Sequence, residues 1–386
     1  MKIDPYKHKE RYINWKNTLE QGIKGISKEN SDIVINYVTD MENGLNVSRA
    51  SQKGSRSYIR LNNLKQRLVF LSKQFENYYK VTDLTKITEE QLFTFFNGMR
   101  NGTIMRLDGK EYQSVSDYVK VFKAFWHWYI KVSKKKGKEV QDLTTDLDTS
   151  IEKPRWVYLT EAQVKQLCDN AKFEYRVLMM FLYDTGIRAP TELVNLRVSD
   201  LYSDYKEIHI RDEIRKTFGR RIKLMLCSDL VKSYVKSKGL KESDQIFGIK
   251  PVTVNKYIQR LATRVLGEAK SQAGQKYSEL TMYDFRHCSC CYWLPRYKSE
   301  SALKYRFGWK KSEKIHYYSE LLGMKDTIAE EDLLVDVTKT EIEKRLERSE
   351  KEKEIMQERF NQMERQMQKL LELSKIAETK IELIAI

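Results

Sequence analysis

The chain has 386 residues, 41% of them hydrophobic and 32% charged, which is sufficient for two globular domains and an accessory segment. No apolar run approaches the roughly 20 residues that a membrane span requires, and residues 1–30 lack the apolar stretch of a secretory signal. Five cysteines are too few and too clustered for a disulfide framework, so we expect a soluble, cytoplasmic protein with reduced thiols.

The net charge of +16 belongs entirely to residues 1–336, because residues 337–386 hold 11 Lys/Arg and 11 Asp/Glu. Each basic side chain that meets a phosphate releases condensed counterions, so the excess favours a polyanionic partner such as nucleic acid. Many ribosomal and membrane-surface proteins are equally basic. Charge alone therefore does not identify the partner.

Helical periodicity dominates residues 1–133 and is clearest in segments 55–79, 87–99 and 114–132. The run KKKGKE at 134–139 and the polar stretch to Lys153 then interrupt the apolar pattern. Such an interruption is typical of a linker, so we predict a domain boundary near 140–155.

Helical patterns resume after the linker, in segments 159–171, 175–187, 228–238, 251–266 and 284–306. Between them, segments 205–211 and 220–226 alternate apolar and polar residues, and Phe218 and Gly219 lie near the turn that joins them. This alternation predicts a β-hairpin. The fold class is therefore mainly α with a small antiparallel sheet (α+β).

The C-terminal tail carries a heptad pattern that begins at Met356. Its seam positions follow alternating steps of four and three: Met356, Phe360, Met363, Met367, Leu370, Ser374, Ala377, Ile381 and Ile384. A coiled coil and a single amphipathic helix lying on its own protein both explain this spacing, because a Met-rich seam specifies oligomeric state poorly.

The stretch YDTGIRAPTELVNLRVSDL (183–201) places Arg188 directly after a buried helix. Unpaired burial of a guanidinium is costly, so Arg188 needs either an internal carboxylate or an anionic ligand. Glu192, about one helical turn further on, is the internal candidate. A structural Arg188–Glu192 pair and an anion site are both compatible with this segment alone.

The same stretch resembles the first conserved box of the tyrosine recombinases, the phage integrase family. That box reads T-G-hydrophobic-R-hydrophobic-S-E-L-hydrophobic-x-L. Three further motifs follow in the family's order: RKTFGRRIKL with Lys216, TMYDFRHCS with Arg286 in place of H-x-x-R-H, and FGWKKSEKIHYYSE. The resemblance spans roughly residues 50–325 and is strongest over 183–320.

The last motif decides between two adjacent tyrosines. The family keeps ten residues from its glycine to its nucleophile, and the tenth residue after Gly308 is Tyr318. The resemblance therefore assigns the nucleophile to Tyr318, with Tyr317 as its packed neighbour. Tyr317 is one position away and remains the alternative.

The resemblance implies that the Tyr318 phenol attacks a DNA phosphodiester and forms a 3′-phosphotyrosyl intermediate, with no ATP, metal or other cofactor. Arg188 and Arg286 would each donate paired hydrogen bonds to the phosphate oxygens. Lys216 is the candidate general acid for the leaving 5′ oxygen. Trp309 would donate its indole N–H to a phosphate oxygen, where many relatives use histidine.

Two positions depart from the family pattern. Tyr283 stands where most relatives carry histidine, and a phenol is a worse base at neutral pH, although it can still hydrogen-bond a phosphate. Glu192 follows Arg188 by four residues, where the usual interval is three. Either a one-residue bulge accommodates this interval, or the acidic residue is not in its familiar place.

The family also suggests the domain organisation: an N-terminal helical core-binding domain (1–145), a catalytic domain (155–325) and a helical tail (326–386) that couples protomers. The partners would be double-stranded DNA, at the nucleoid, and further copies of the chain, from dimer to tetrameric synapse. Candidate DNA contacts are Lys134, Lys135, Lys136 and Arg220. The lysine run is equally compatible with a solvated surface.

Three cysteines beside His287, at positions 288, 290 and 291, invite a metal hypothesis. Zinc ligands usually come as two separated pairs, and no second pair lies nearby, so we expect these cysteines to pack as small apolar residues. Two functions remain in view. One is an active recombinase of a mobile element or a chromosome-dimer resolvase; the other is a catalytically impaired DNA-binding protein on the same scaffold.

Overall fold

The computed structural model describes residues 2–47, 54–150, 155–297, 299–321 and most of 346–368. Residues 1–312 form one compact unit and residues 313–386 form a second. The described chain is mainly helical with one three-stranded antiparallel sheet, which confirms the predicted fold class. No described helix is both long and apolar enough to cross a membrane. The boundaries at 145–155 and 325–326 stay predictions.

The described residues of the first part of the chain, 2–47 and 54–150, contain five α-helices: α1 (His8–Lys16), α2 (Lys28–Asn43), α3 (Tyr58–Tyr79), α4 (Glu89–Arg100) and α5 (Val115–Lys135). Ser27, Ser57 and Thr88 begin three of them as N-caps, each accepting from a backbone N–H in the first turn. Their apolar faces share one core, which extends from Tyr12 to Leu147.

The predicted linker begins too early. Lys134 and Lys135 form the last turn of α5, and Lys136 is its C-cap. Basic side chains are favourable at a helix C-terminus, because the unpaired carbonyls there carry partial negative charge, so a lysine run extends this helix.

The second part contains α6 (Glu161–Asp169), α7 (Phe173–Thr185), β1 (Leu201–Tyr202), β2 (Glu207–Ile210), β3 (Arg220–Lys223), α8 (Ser228–Lys238), α9 (Pro251–Leu266), α10 (Met282–Trp293) and α11 (Glu300–Phe307). Strands β2 and β3 form the predicted hairpin, with Ile208 opposite Ile222. Strand β1 adds an edge that was not predicted, because two residues are too few to show alternation.

The helical pattern over 284–306 resolves into two helices. A short 3₁₀ turn, Leu294–Arg296, separates α10 from α11. Pro295 lies in this turn, and proline cannot donate the backbone hydrogen bond that a continuous helix would need. The break directs α11 toward β3, which it contacts.

A buried ion pair joins α7 to α11. Arg306 Nη2 lies 2.8 Å from Asp184 Oδ1, and the Arg306 guanidinium stacks 4.1 Å from the Trp293 ring. Asp184 also accepts from the backbone N–H groups of Leu226, at 2.7 Å, and Cys227, at 3.2 Å. These contacts pair the two buried charges, although Arg306 Nε has no hydrogen-bond partner among the described residues, and they hold the two helices together with the segment that follows β3.

Asp284 anchors the beginning of α10. Its carboxylate accepts from the backbone N–H and hydroxyl of Thr281, at 2.7 and 2.6 Å, and from the Val157 N–H at 3.1 Å. Burial raises the pKa of Asp284, although these hydrogen bonds oppose the change. Cys288, Cys290 and Cys291, further along α10, are all buried and free, as expected for packing residues.

The second unit contains α12 (Glu313–Leu321) and helical residues within 346–368. The four described seam side chains are largely exposed, at 70% for Met356, 59% for Phe360, 64% for Met363 and 62% for Met367. The coiled coil and the single amphipathic helix both stay predictions. The remaining seam positions, 370–384, lie outside the described residues.

Gly186 should not tolerate a side chain. It ends α7 with φ +58°, and an added Cβ would lie 2.3 Å from Phe307 Cε1 and 2.8 Å from Ser289 Oγ. Gly239 ends α8 with φ +61° and has nothing within 4 Å of the same position. We expect Gly239→Ala to lower the free energy of unfolding by about 1 kcal/mol, and Gly186→Ala by about 1–3 kcal/mol more. Urea unfolding measures both, and equal losses would contradict the expectation.

Candidate active site

Three arginines from distant parts of the chain converge on the end of α11. The backbone carbonyls of residues 306–308 each accept a hydrogen bond from a different guanidinium. The donors are Arg220 Nε at 2.9 Å, Arg286 Nη2 at 2.7 Å and Arg188 Nη2 at 2.8 Å. The last carbonyls of a helix lack helical partners and carry partial negative charge, so arginines stabilise this end.

Gly308 permits this convergence. It is the left-handed C-cap of α11, with φ +61°, and an added Cβ would lie 3.0 Å from Arg220 Nη1 and 3.1 Å from Thr217 Oγ1. Thr217 Oγ1 also donates to the Gly308 carbonyl at 2.8 Å. The hairpin, α11 and the residues after α7 therefore meet at this glycine.

Glu192 pairs with both Arg188 and Arg220. Its Oε1 lies 2.8 Å from Arg188 Nη1, and its Oε2 lies 3.0 Å from the Arg188 backbone nitrogen and 2.9 Å from Arg220 Nη2. The Glu192 side chain is 1% exposed and that of Arg220 is fully buried. The four-residue interval thus still brings the carboxylate onto Arg188, and the internal partner that the sequence suggested is present.

The two arginines keep Glu192 ionised. Burial alone would raise the pKa of this carboxyl, but the charges and hydrogen bonds of Arg220 and Arg188 outweigh burial and lower the pKa to about 2. A typical unfolded glutamate has a pKa of about 4.3.

Protein stability should consequently depend on pH through Glu192. Its folded-state pKa lies below the unfolded value, so the stabilisation is complete above about pH 4.5 and is lost as the pH falls toward 2. The loss should be about 3 kcal/mol, since one pKa unit corresponds to about 1.4 kcal/mol. Urea unfolding of the unsubstituted chain and of Glu192→Gln between pH 2.5 and 6 measures it. The difference between their free energies of unfolding should become smaller as the pH falls. A difference that stays constant with pH would contradict the lowered pKa of Glu192.

Arg286 is more deeply buried than Arg188, the other predicted phosphate-binding arginine. It is 5% exposed, and its terminal nitrogens donate to the carbonyls of Gly186 and Phe307. Burial and the positive charge of Arg188 lower the pKa of Arg286 to about 10. A guanidinium in such surroundings is stabilised by a bound anion.

Both arginines retain hydrogen-bonding capacity. A guanidinium has five N–H donors, and within the described chain Arg188 uses two of them, toward Glu192 and Gly308. Arg286 likewise uses two, toward Gly186 and Phe307. The two side chains bond to adjacent carbonyls, and guanidinium donors that are not used within the protein can bond an oxyanion with several acceptor oxygens.

The other residues predicted for this site lie on nearby elements of the first unit. Trp309 is half-buried and stacks on Phe307, with ring centroids 4.9 Å apart. Lys216 is exposed in the turn between β2 and β3, next to Thr217, and has no hydrogen bond or ion pair among the described residues. Tyr283 is 46% exposed in the first turn of α10, with its ring 5.2 Å from that of His287.

The two tyrosines lie on α12, in the second unit. Their rings are 5.1 Å apart and nearly perpendicular. Tyr318 is 4% exposed, whereas Tyr317 is only partly buried. Tyr318 is therefore the more deeply buried of the two, and successive residues of a helix point about 100° apart, so their exposures can differ in this way. The choice of nucleophile rests on the glycine-to-tyrosine interval and stays a prediction.

The predicted DNA contacts divide into two groups. Lys134, Lys135 and Lys136 are exposed at the end of α5, with Lys135 bonded to Asn46. Arg220 is fully buried and paired with Glu192, so it does not present its charge to a ligand. The prediction that Arg220 contacts DNA is therefore wrong. Strand alternation carried the signal, since Arg220 shares a face with buried Ile222. The Asp184–Arg306 pair was also missed, because it joins residues far apart in sequence.

The chain is similar to known recombination proteins. Residues 157–323 match the model of the phage integrase family. A lambda integrase dimer bound to a COC′ core site shares 14% identity over 84% of this chain and 85% of that chain, with a TM-score of 0.57. The Tn1549 transposon integrase in complex with circular intermediate DNA shares 14% identity over 78% and 100%, with a TM-score of 0.53. A lambda integrase tetramer bound to a Holliday junction shares 14% identity over 79% of this chain and 87% of that chain, with a TM-score of 0.53. At these identities the likeness establishes the fold. The comparison with curated proteins found no match.

Proposed function

We propose that the chain is a site-specific DNA recombinase, and the match of residues 157–323 to the phage integrase family model is the premise. It cleaves and rejoins duplex DNA through a 3′-phosphotyrosyl intermediate, without ATP or metal. The convergence of Arg188 and Arg286 on adjacent carbonyls is the single observation that carries this proposal. Arg188 and Arg286 belong to motifs about 100 residues apart in sequence, and binding of one phosphate by both arginines requires that these motifs lie close together.

Two arginines suit the charge that develops during phosphoryl transfer. Attack on a phosphodiester spreads negative charge over the non-bridging oxygens of a pentacoordinate phosphorus. The remaining N–H donors of Arg188 and Arg286 can bond those oxygens in pairs, in a geometry that lysine could not reproduce. Positioned donors of this kind are usually the largest single contribution to such catalysis.

The remaining residues transfer protons and complete the phosphate site. The Tyr318 oxygen gives up its phenolic proton to solvent and forms a bond to phosphorus as the bond from phosphorus to the 5′ oxygen breaks, and Lys216 donates the proton that the leaving oxygen needs. Trp309 donates its indole N–H to a phosphate oxygen. Tyr283, at the family's histidine position, hydrogen-bonds the phosphate. Attack by a 5′-hydroxyl of another strand then releases Tyr318 and completes strand exchange.

Duplex DNA is the proposed partner. The structural relatives include an integrase dimer on a core site and a tetramer on a Holliday junction, which supports the same partners and self-association for this chain. The +16 charge and the exposed lysines at the end of α5 favour phosphate contacts as well. Binding should consequently weaken steeply as salt is raised.

A catalytically impaired DNA-binding protein is the second candidate, and Tyr283 is the observation that favours it. A nicked suicide substrate distinguishes the two, because the cleaved strand diffuses away and an active enzyme accumulates as a covalent adduct. The substrate should carry sequences recovered from DNA bound to the protein in cells. An adduct that resists denaturation supports the recombinase; tight binding without any adduct supports the impaired protein.

The tail is proposed to hold protomers together through its heptad seam. Met363→Lys combined with Met367→Lys charges two exposed seam positions, so the oligomeric mass should fall as far as it does when residues 337–386 are deleted. Asn361→Lys with Gln368→Lys adds the same charge at outer positions and is the matched control. Light scattering reports the mass. An unchanged mass in the seam variant, or an equal loss in the control, would contradict a coiled coil.

A further inference from the structure

Arg220 makes three kinds of contact and is completely shielded from solvent. Its Nη2 lies 2.9 Å from Glu192 Oε2, and its Nη1 lies 3.4 Å from Oε1. Its Nε donates to the carbonyl of Arg306 at 2.9 Å. The guanidinium therefore connects the carboxylate beside Arg188 to the end of α11.

Stability alone does not account for such a residue. Buried ion pairs are often replaced by apolar residues with no loss of stability, because desolvation of two charges offsets their attraction. A buried arginine can still hold its partner in one geometry, since its planar fork bonds a carboxylate at two points. Arg220 holds Glu192 in this way, and Glu192 holds both the backbone and the side chain of Arg188.

The charges in this group are as informative as the distances. Glu192 carries one negative charge, which lies between two guanidiniums. Without Arg220, that charge would be balanced by Arg188 alone, and Arg188 would be electrostatically neutralised. With Arg220 present, the three side chains carry a net charge of +1. An incoming phosphate therefore meets a net positive group.

We propose that Arg220 is a positioning residue for Arg188: it fixes Glu192 against the end of α11 and offsets its charge, so that Arg188 stays oriented and cationic toward the scissile phosphate. This role rests on the proposed recombinase function. Arg220 itself touches no DNA. Its effect passes through Glu192 to Arg188.

Arg220→Lys is the informative substitution, because it keeps the charge and loses the fork. We expect the single-turnover rate of covalent adduct formation at saturating DNA to fall about 10- to 100-fold, by analogy with the loss of a hydrogen-bond partner that orients a metal ligand. The DNA dissociation constant should change less than about threefold, since no phosphate contact is removed. Arg221→Lys is the matched control: it lies one residue on, on the exposed face of β3, and should retain the full rate.

A double variant separates positioning from folding. Arg220→Met leaves Glu192 buried without its main partner and should lower the melting temperature. Adding Glu192→Gln removes the unpaired charge, so the melting temperature should recover while the cleavage rate stays low. A rate that recovers together with the melting temperature would overturn the proposal, because Arg220 would then act only through stability.

A crystal structure of Arg220→Lys supplies a readout that does not depend on activity. Arg188 should leave the Gly308 carbonyl, to which it is bonded at 2.8 Å in the unsubstituted chain. An Arg188 that keeps this position would overturn the inference whether or not the protein cleaves DNA. By contrast, a displaced Arg188 in a protein that forms no adduct on any substrate would support the inference about geometry and refute the recombinase function.

Discussion

Replacing Tyr318 with phenylalanine should abolish the covalent protein–DNA product and leave DNA affinity within about twofold of the unsubstituted chain. The change removes one oxygen atom, which is the proposed nucleophile, and no other residue can form the same ester at that position. The loss should be complete and not graded. Denaturing gel electrophoresis of a reaction with a nicked suicide substrate detects the adduct, and a filter or mobility-shift assay gives the affinity.

Tyr317→Phe is the matched control, because it removes the same atom from the adjacent residue on α12. It should keep the adduct at nearly the original yield. The reverse pattern, with Tyr317→Phe inactive and Tyr318→Phe active, would transfer the nucleophile to Tyr317. Retention of the adduct in both single variants would show that neither tyrosine is required by itself, and retention in the double variant Tyr317→Phe/Tyr318→Phe would exclude the pair from the chemistry.

Substitution of Arg286 by lysine should lower the single-turnover cleavage rate about 10²- to 10³-fold, the range observed when one positioned donor to a developing oxyanion is removed. Arg286 donates from separate nitrogens to the carbonyls of Gly186 and Phe307 and has further donors for the phosphate. A single ammonium cannot occupy all of these positions. A buried lysine also loses its proton more readily than arginine.

Arg296→Lys is a suitable control, because Arg296 lies just beyond α10 and its side chain is 42% exposed in a surface pair with Glu161. It should change the cleavage rate by less than about twofold, since exposed pairs contribute little. DNA affinity should be measured alongside, so that weaker binding is separated from slower chemistry. If Arg286→Lys cleaves at the original rate under saturating DNA, Arg286 does not stabilise the transition state.

The end of α11 explains why these residues act as a group. Three arginines from α10, β3 and the segment after α7 bond to three consecutive carbonyls, and the next residue is Trp309. Arg306, within the same helix, is fixed to Asp184 at the end of α7. Movement of α11 would therefore displace every one of these guanidiniums, so small changes in this helix should affect cleavage more than their size suggests.

Elements governed by local patterns were predictable from the sequence. The helices over 55–79, 159–171 and 251–266 have repeating apolar faces, and the hairpin alternates with period two. Errors arose where one short feature competed with the pattern. Pro295 broke a helical stretch, and the basic residues Lys134 and Lys135 extended a helix into the expected linker.

The sequence by itself determined the family resemblance and the fold class, through the order and spacing of short motifs. It also determined the candidate residues Arg188, Lys216, Arg286 and Trp309, because each motif is local and can be read along the chain. Only the tertiary structure decided which charges pair. Glu192 lies between Arg188 and Arg220, and Arg220 is buried inside the protein and not on a DNA surface. Ion pairing depends on distances between residues remote in sequence and on exclusion of water, and folding alone establishes both.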